Sequence, residues 1–126
     1  MRLLWIGLGG AVGSMLRYLL SGVAQDVAPR STFPLGTLLV NVGGCFAIGV
    51  LAELAESRGF MAPATRSLVM VGLIGGFTTF SAFAHETVNA VRDGATGTAA
   101  LNVVLSVGLG VAAVWAGRIA AAQIWR

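Results

Sequence analysis

Lysine is absent from this chain of 126 residues, cysteine and tyrosine occur once each, and Asp and Glu together number only 5. Charged residues make up 10% of the sequence, where a typical soluble domain carries about 25%. So few charges cannot clothe a soluble fold of this size. With 56% hydrophobic residues and a mean hydropathy of +0.86, the chain reads as an integral membrane protein. The missing lysine also changes the meaning of the +3 net charge and the pI near 10.5. Every base is an Arg, and the bases are scattered at the ends of apolar runs rather than clustered. That is the pattern of interface anchors and not of a nucleic-acid surface. A lone Cys45 excludes an intramolecular disulfide. There is no Ser-His-Asp arrangement, no paired His and no phosphate-binding loop, so the chain does not read as an enzyme.

A bilayer core takes about 20 apolar residues of helix, and four stretches supply them. They predict helices over about 3–24, 34–55, 66–91 and 96–120, in a single all-α transmembrane domain covering 1–126. Short connectors between them hold most of the charges, and Pro34 and Pro63 stand where a missing N–H costs a helix nothing. Arg17 interrupts the first run and three more follow it, so that run reads as a span and not as a cleaved signal peptide. Arg2, Arg58, Arg66, Arg118 and Arg126 fall on one side, and Arg30 and Arg92 on the other. The bias toward a cytoplasmic N-terminus is slight, and such near-balance permits insertion in both orientations.

Small residues recur at four-residue spacing: Gly9 and Gly13, Gly43 and Ala47, Gly72 and Gly76, Gly108 and Ala112. In lipid these spacings predict close helix crossings. Gly7 to Gly13 has the glycine spacing of a dinucleotide-binding loop, but that loop needs a preceding strand, which an apolar span does not provide.

Polar residues inside the spans say more, because lipid penalises them. Asn41 lies mid-span, one turn beyond Thr37 on the same face. Its amide is either interhelical glue or a donor to something passing through. Asn102 and Ser106 form a similar pair in the fourth span. The densest signal is Gly75-Gly76-Phe77-Thr78-Thr79-Phe80-Ser81-Ala82-Phe83, whose glycines, threonines and serine all weaken a helix. A break there would free carbonyls suited to a hard cation, or N–H groups suited to an anion. Phe80 and Phe83, three apart, share a face if the helix resumes, and ring edges can line an anion path without charge. No acidic residue sits at the centre of any span, which argues against proton-coupled export. A neutral path with Arg17 as the one deep charge favours a small anion.

Three motifs together resemble the Fluc (CrcB) fluoride channels along essentially the whole chain: Gly9 to Tyr18, Gly36 to Phe46, and Gly75 to Phe83. The resemblance implies a fluoride-selective passive channel of the cell (inner or plasma) membrane that exports cytoplasmic fluoride. It implies an antiparallel, dual-topology homodimer with a broken third helix. A structural Na+ would lie at the dimer centre, held by the carbonyls of Gly75 and Thr78. Asn41 would donate to fluoride, and Phe80 and Phe83 would present ring edges to it. Thr79, Ser81, Ser106 and Arg17 would lie along the pathway, and Glu86 near a vestibule. The sequence departs from the family where Asn102 replaces a common Tyr, where Gly110 and Val114 replace hydroxyls, and where Ala82 replaces Thr. The alternative is a four-helix exporter of the small-multidrug type, which needs a carboxylate deep in the first span; none is present there.

Overall fold

The computed structural model describes residues 1–27, 29, 31–59 and 61–125. Arg30 and Arg126, and the side chain of Arg58, all used in weighing the orientation, lie outside the described residues. The described residues form six α-helices and one π-helical stretch: α1 (Arg2–Val27), α2 (Leu35–Arg58), α3 (Pro63–Arg66), the π segment (Ser67–Ile74), α4 (Gly75–Phe77), α5 (Phe80–Arg92) and α6 (Thr96–Ile124). Among the described residues there is no strand. The elements from Pro63 to Arg92 together form the third of four stretches long and apolar enough to cross a membrane.

Local chemistry sets the boundaries. α2 starts after Pro34 and ends at Gly59, whose φ of 57° provides the left-handed cap. α3 opens on Pro63 in its first turn. Gly94, at φ 77°, makes the tight turn from α5 into α6. Nothing in the uniformly apolar run Ser67–Ile74 announces its π winding, a form that often accompanies functional sites.

α2 lies along α6, α1 lies along the π segment and α4, and α5 leans on α6. The first crossing follows the expected glycines. A Cβ on Gly9 or Gly13 would collide with the carbonyl oxygen of Leu68 or Leu73, and one on Gly76 would lie 2.6 Å from the Gly10 oxygen. The α2–α6 crossing does not. Gly43 and Gly108 have no neighbour within 4 Å and are exposed, as is Ala112; the close approach is made instead by Gly49 against Val114 and Gly117 against Phe46. Small residues occur on several faces of these helices, and spacing alone does not choose the face that meets a neighbour. At one end of this pair Arg118 bonds both Glu56 oxygens, at 2.8 and 3.0 Å, and reaches Glu53 at 3.2 Å.

Little of the apolar surface is covered by the chain itself. Among the described residues, Leu38, Val40, Ala99 and Ala121 are the buried hydrophobic side chains, and no more than 28% of any span's apolar window is buried. Such an exterior suits lipid or another protein surface.

Candidate functional site

The site is organised by an interruption in the third span. α4 ends at Phe77, Thr78 takes an extended conformation (φ −83°, ψ 155°), and Thr79 follows (φ −149°, ψ 113°) before α5 begins at Phe80. Two extended residues leave the helical ladder, so their polar groups need other partners. Asn41, from the middle of α2, supplies them. Its Nδ2 donates to the Thr79 carbonyl at 3.0 Å, and its Oδ1 accepts from the Thr79 N–H at 2.8 Å. One amide thus stands in for a residue of helix. The Thr79 hydroxyl then caps α5, accepting from the Ala82 N–H at 3.2 Å, and lies 3.2 Å from the Ser81 hydroxyl. Thr78 closes the other side, its N–H and hydroxyl both donating to the Ile74 carbonyl, at 3.0 and 3.1 Å.

This interruption opens on a cavity of about 440 Å³. Asn41, Gly75, Thr78, Thr79, Phe80, Phe83 and Ser106 line it, with Cys45 among the remaining, mostly apolar contributors. Among the described residues no charged side chain lines it. Phe80 and Phe83 stand one turn apart with ring centroids 5.4 Å apart and planes tilted by 48°, so an edge as well as a face is presented. Phe80 is 79% exposed, Ser81 is exposed beside it, and Phe83 is half-buried. An asparagine amide carries two N–H donors. One is engaged by Thr79, and the residue borders the cavity with the second.

The other singled-out residues lie elsewhere. Glu86 lines a separate cavity of about 450 Å³ between α1, α2 and α5, with Tyr18, Gln25, Asp26 and Thr37 among its walls. Its Oε1 accepts from the Thr37 hydroxyl at 2.6 Å, while Oε2 is buried without a partner. Arg17 borders neither of these two cavities; its Nε donates to the Gly76 carbonyl at 3.3 Å, joining α1 to α4. Ser81 is absent from the wall of the cavity at the interruption and adjoins it through the Thr79 hydroxyl.

Sequence reasoning passed over Thr87, which bonds both the Phe83 carbonyl and Asn102. Its spacing of four from Phe83 was the available signal. The wall residues Gly44, Cys45, Ile48, Met70, Ile74 and Val107 were also unmarked, since apolar residues in a span look alike.

Comparison with known proteins gives a consistent outcome. The family model described as CrcB-like protein, Camphor Resistance (CrcB), matches residues 4–118. A protein of Opitutus terrae named fluoride-specific ion channel FluC is 52% identical over 94% of this chain and 90% of its own length. Proteins of the same name from Solibacter usitatus and Methylobacillus flagellatus are 48% and 46% identical, over 96% and 89% of this chain and 98% and 88% of their own.

Proposed function

The chain belongs to the CrcB-like family, and on that premise we propose that it is a fluoride-selective passive channel that lets cytoplasmic fluoride leave the cell. It is a membrane transport protein and not an enzyme. The observation that carries the reading is the uncharged cavity on which Asn41, Thr79, Ser106 and the Phe80–Phe83 pair converge. Fluoride is small and strongly hydrated, so a path for it must replace water with close donors. Here the second Asn41 N–H, a hydroxyl of the Thr79–Ser81 pair and positive ring edges supply that replacement without a fixed charge that would trap the ion. HF crosses membranes as a neutral acid and dissociates inside; a passive exit for the anion then suffices.

The pathway assigned to this chain comprises Asn41, Thr79, Phe80, Ser81, Phe83 and Ser106, with Glu86 at a vestibule and Arg17 as the deep positive charge beside the interruption. The assembly assigned is an antiparallel homodimer in the inner or plasma membrane. Two considerations support it. Irregular backbone at membrane depth is tolerated only where protein or a water-filled cavity covers it, yet Gly75, Phe80 and Ser81 are exposed on the single chain. Gly43, Gly108 and Ala112 are exposed too, which gives a second copy small residues to pack against.

Gly75 and Thr78 fit the Na+ that the family resemblance implies. Both line the cavity at the interruption and offer neutral carbonyl oxygens, which suit a hard cation. No group of three or more His, Cys, Asp or Glu among the described residues offers another metal site. Two carbonyls are too few to hold an ion, and a second copy would complete the set. When bound, Na+ would supply a fixed positive charge at the centre of the dimer.

The test is fluoride efflux from liposomes. Phe80→Ile and Phe83→Ile are each expected to lower efflux while the dimer still assembles; undiminished efflux in both removes the ring-edge role.

A further inference from the structure

Asn102 is the single buried polar side chain among the described residues, 2% exposed on the inner face of α6. It does not line the cavity, yet both ends of its amide are tied to residues that do so or that hold one in place. Its Nδ2 donates to the Thr87 hydroxyl at 2.9 Å, and that hydroxyl donates to the Phe83 carbonyl at 2.7 Å. Its Oδ1 accepts from the Ser106 hydroxyl at 3.3 Å. Every proton in the series therefore points one way, from Ser106 through Asn102 and Thr87 to the backbone beneath the Phe83 ring. Phe83 and Ser106 are walls of one cavity, carried by α5 and α6 respectively.

A threonine hydroxyl bonded to the carbonyl four residues back is satisfied within its own helix. The Asn102 donation adds a lateral tie between α6 and α5, one turn beyond Phe83. Glue placed anywhere along α5 and α6 would hold the helices together; this tie ends on the ring-bearing residue and on the hydroxyl of the adjoining helix. We propose that Asn102 is a positioning residue that sets the width of the passage between Phe83 and Ser106, and with it the discrimination of fluoride from larger anions. The inference rests on the channel reading above. A larger anion needs a wider gap, so loosening the tie admits chloride more than it alters fluoride.

The experiment measures fluoride and chloride efflux in parallel from liposomes carrying the parent, Asn102→Leu, Thr87→Val, their double variant and Thr87→Ser. A folding defect scales both fluxes together, whereas a change in width moves their ratio. The expected result is a rise of about five-fold in the chloride-to-fluoride ratio for each of Asn102→Leu and Thr87→Val, the scale of one net hydrogen bond. The double variant goes no further than either single, because both cut the same tie. Thr87→Ser keeps the hydroxyl and the parental ratio. Thr87→Val is nearly isosteric and carries the test if Asn102→Leu does not assemble. A ratio within two-fold of the parent in Thr87→Val or in an assembled Asn102→Leu, an undetectable chloride trace included, overturns the proposal, as does an additive double variant. Parent liposomes that release no fluoride overturn the channel reading itself, and the inference with it.

Discussion

Replacing Asn41 by Leu removes both bonds that hold Thr79 while keeping the number and branching of the side-chain heavy atoms. The 3.0 Å donation to the Thr79 carbonyl and the 2.8 Å acceptance from its N–H are lost together. Hydrogen bonds between helices in a membrane average about 0.6 kcal/mol each and reach about 1.7. Here the cost is larger than the bonds alone, because the half-buried Thr79 N–H and carbonyl lose a partner that no neighbouring turn of helix replaces. Each such orphaned group costs about 1–3 kcal/mol, and access to the adjoining cavity offsets part of it. The expected destabilisation is about 2–4 kcal/mol. Asn41→Asp is expected to cost at least as much: it keeps an acceptor for the Thr79 N–H but sets a second oxygen against the Thr79 carbonyl. The assay is reversible unfolding of the purified chain in detergent micelles, parent against variants, with fluoride efflux measured on the same preparations. A change below about 0.5 kcal/mol for Asn41→Leu, with efflux lost, would refute the clasp and leave Asn41 as a donor to the ion alone.

Three further outcomes follow from the packing and the proposed cation. Gly13→Val puts a side chain onto the Leu73 carbonyl oxygen and within 2.9 Å of the Phe77 nitrogen; it is expected to cost about 2 kcal/mol or more in the same unfolding assay. Gly22→Ala, with nothing within 4 Å, is expected to leave stability unchanged or slightly raised. Exchanging Na+ for N-methylglucamine is expected to lower the unfolding temperature in micelles, since an ion bound only by the folded protein stabilises it by mass action. An unchanged temperature across the exchange would count against Gly75 and Thr78 as its ligands.

The sequence carried the spans and the chemistry of their interiors better than it carried their contacts. Apolar runs of bilayer length mark all four crossings, and Asn41 and the Gly75–Phe83 stretch stand out because lipid penalises polar groups and weak helix formers. That Asn41 spends both ends of its amide on Thr79 is a relation across 38 positions that no local pattern encodes. The pairing of Thr37 with Glu86, and of Asn102 with Thr87, is hidden for the same reason. Glycine spacing named the α1 crossing correctly but singled out Gly43 and Gly108 and passed over Gly49 and Gly117. Which face of a uniformly apolar helix meets its neighbour is decided by the whole bundle, and periodicity in one helix holds no record of it.

The central claim is that this chain passes fluoride and rejects larger anions. Its most direct test is the purified protein in liposomes loaded with fluoride or with chloride, in Na+ buffer, with efflux started by relieving the opposing potential. Rapid fluoride release is expected, with chloride release a small fraction of it. Equal release of both anions, or fluoride release no faster than from empty liposomes, would contradict it.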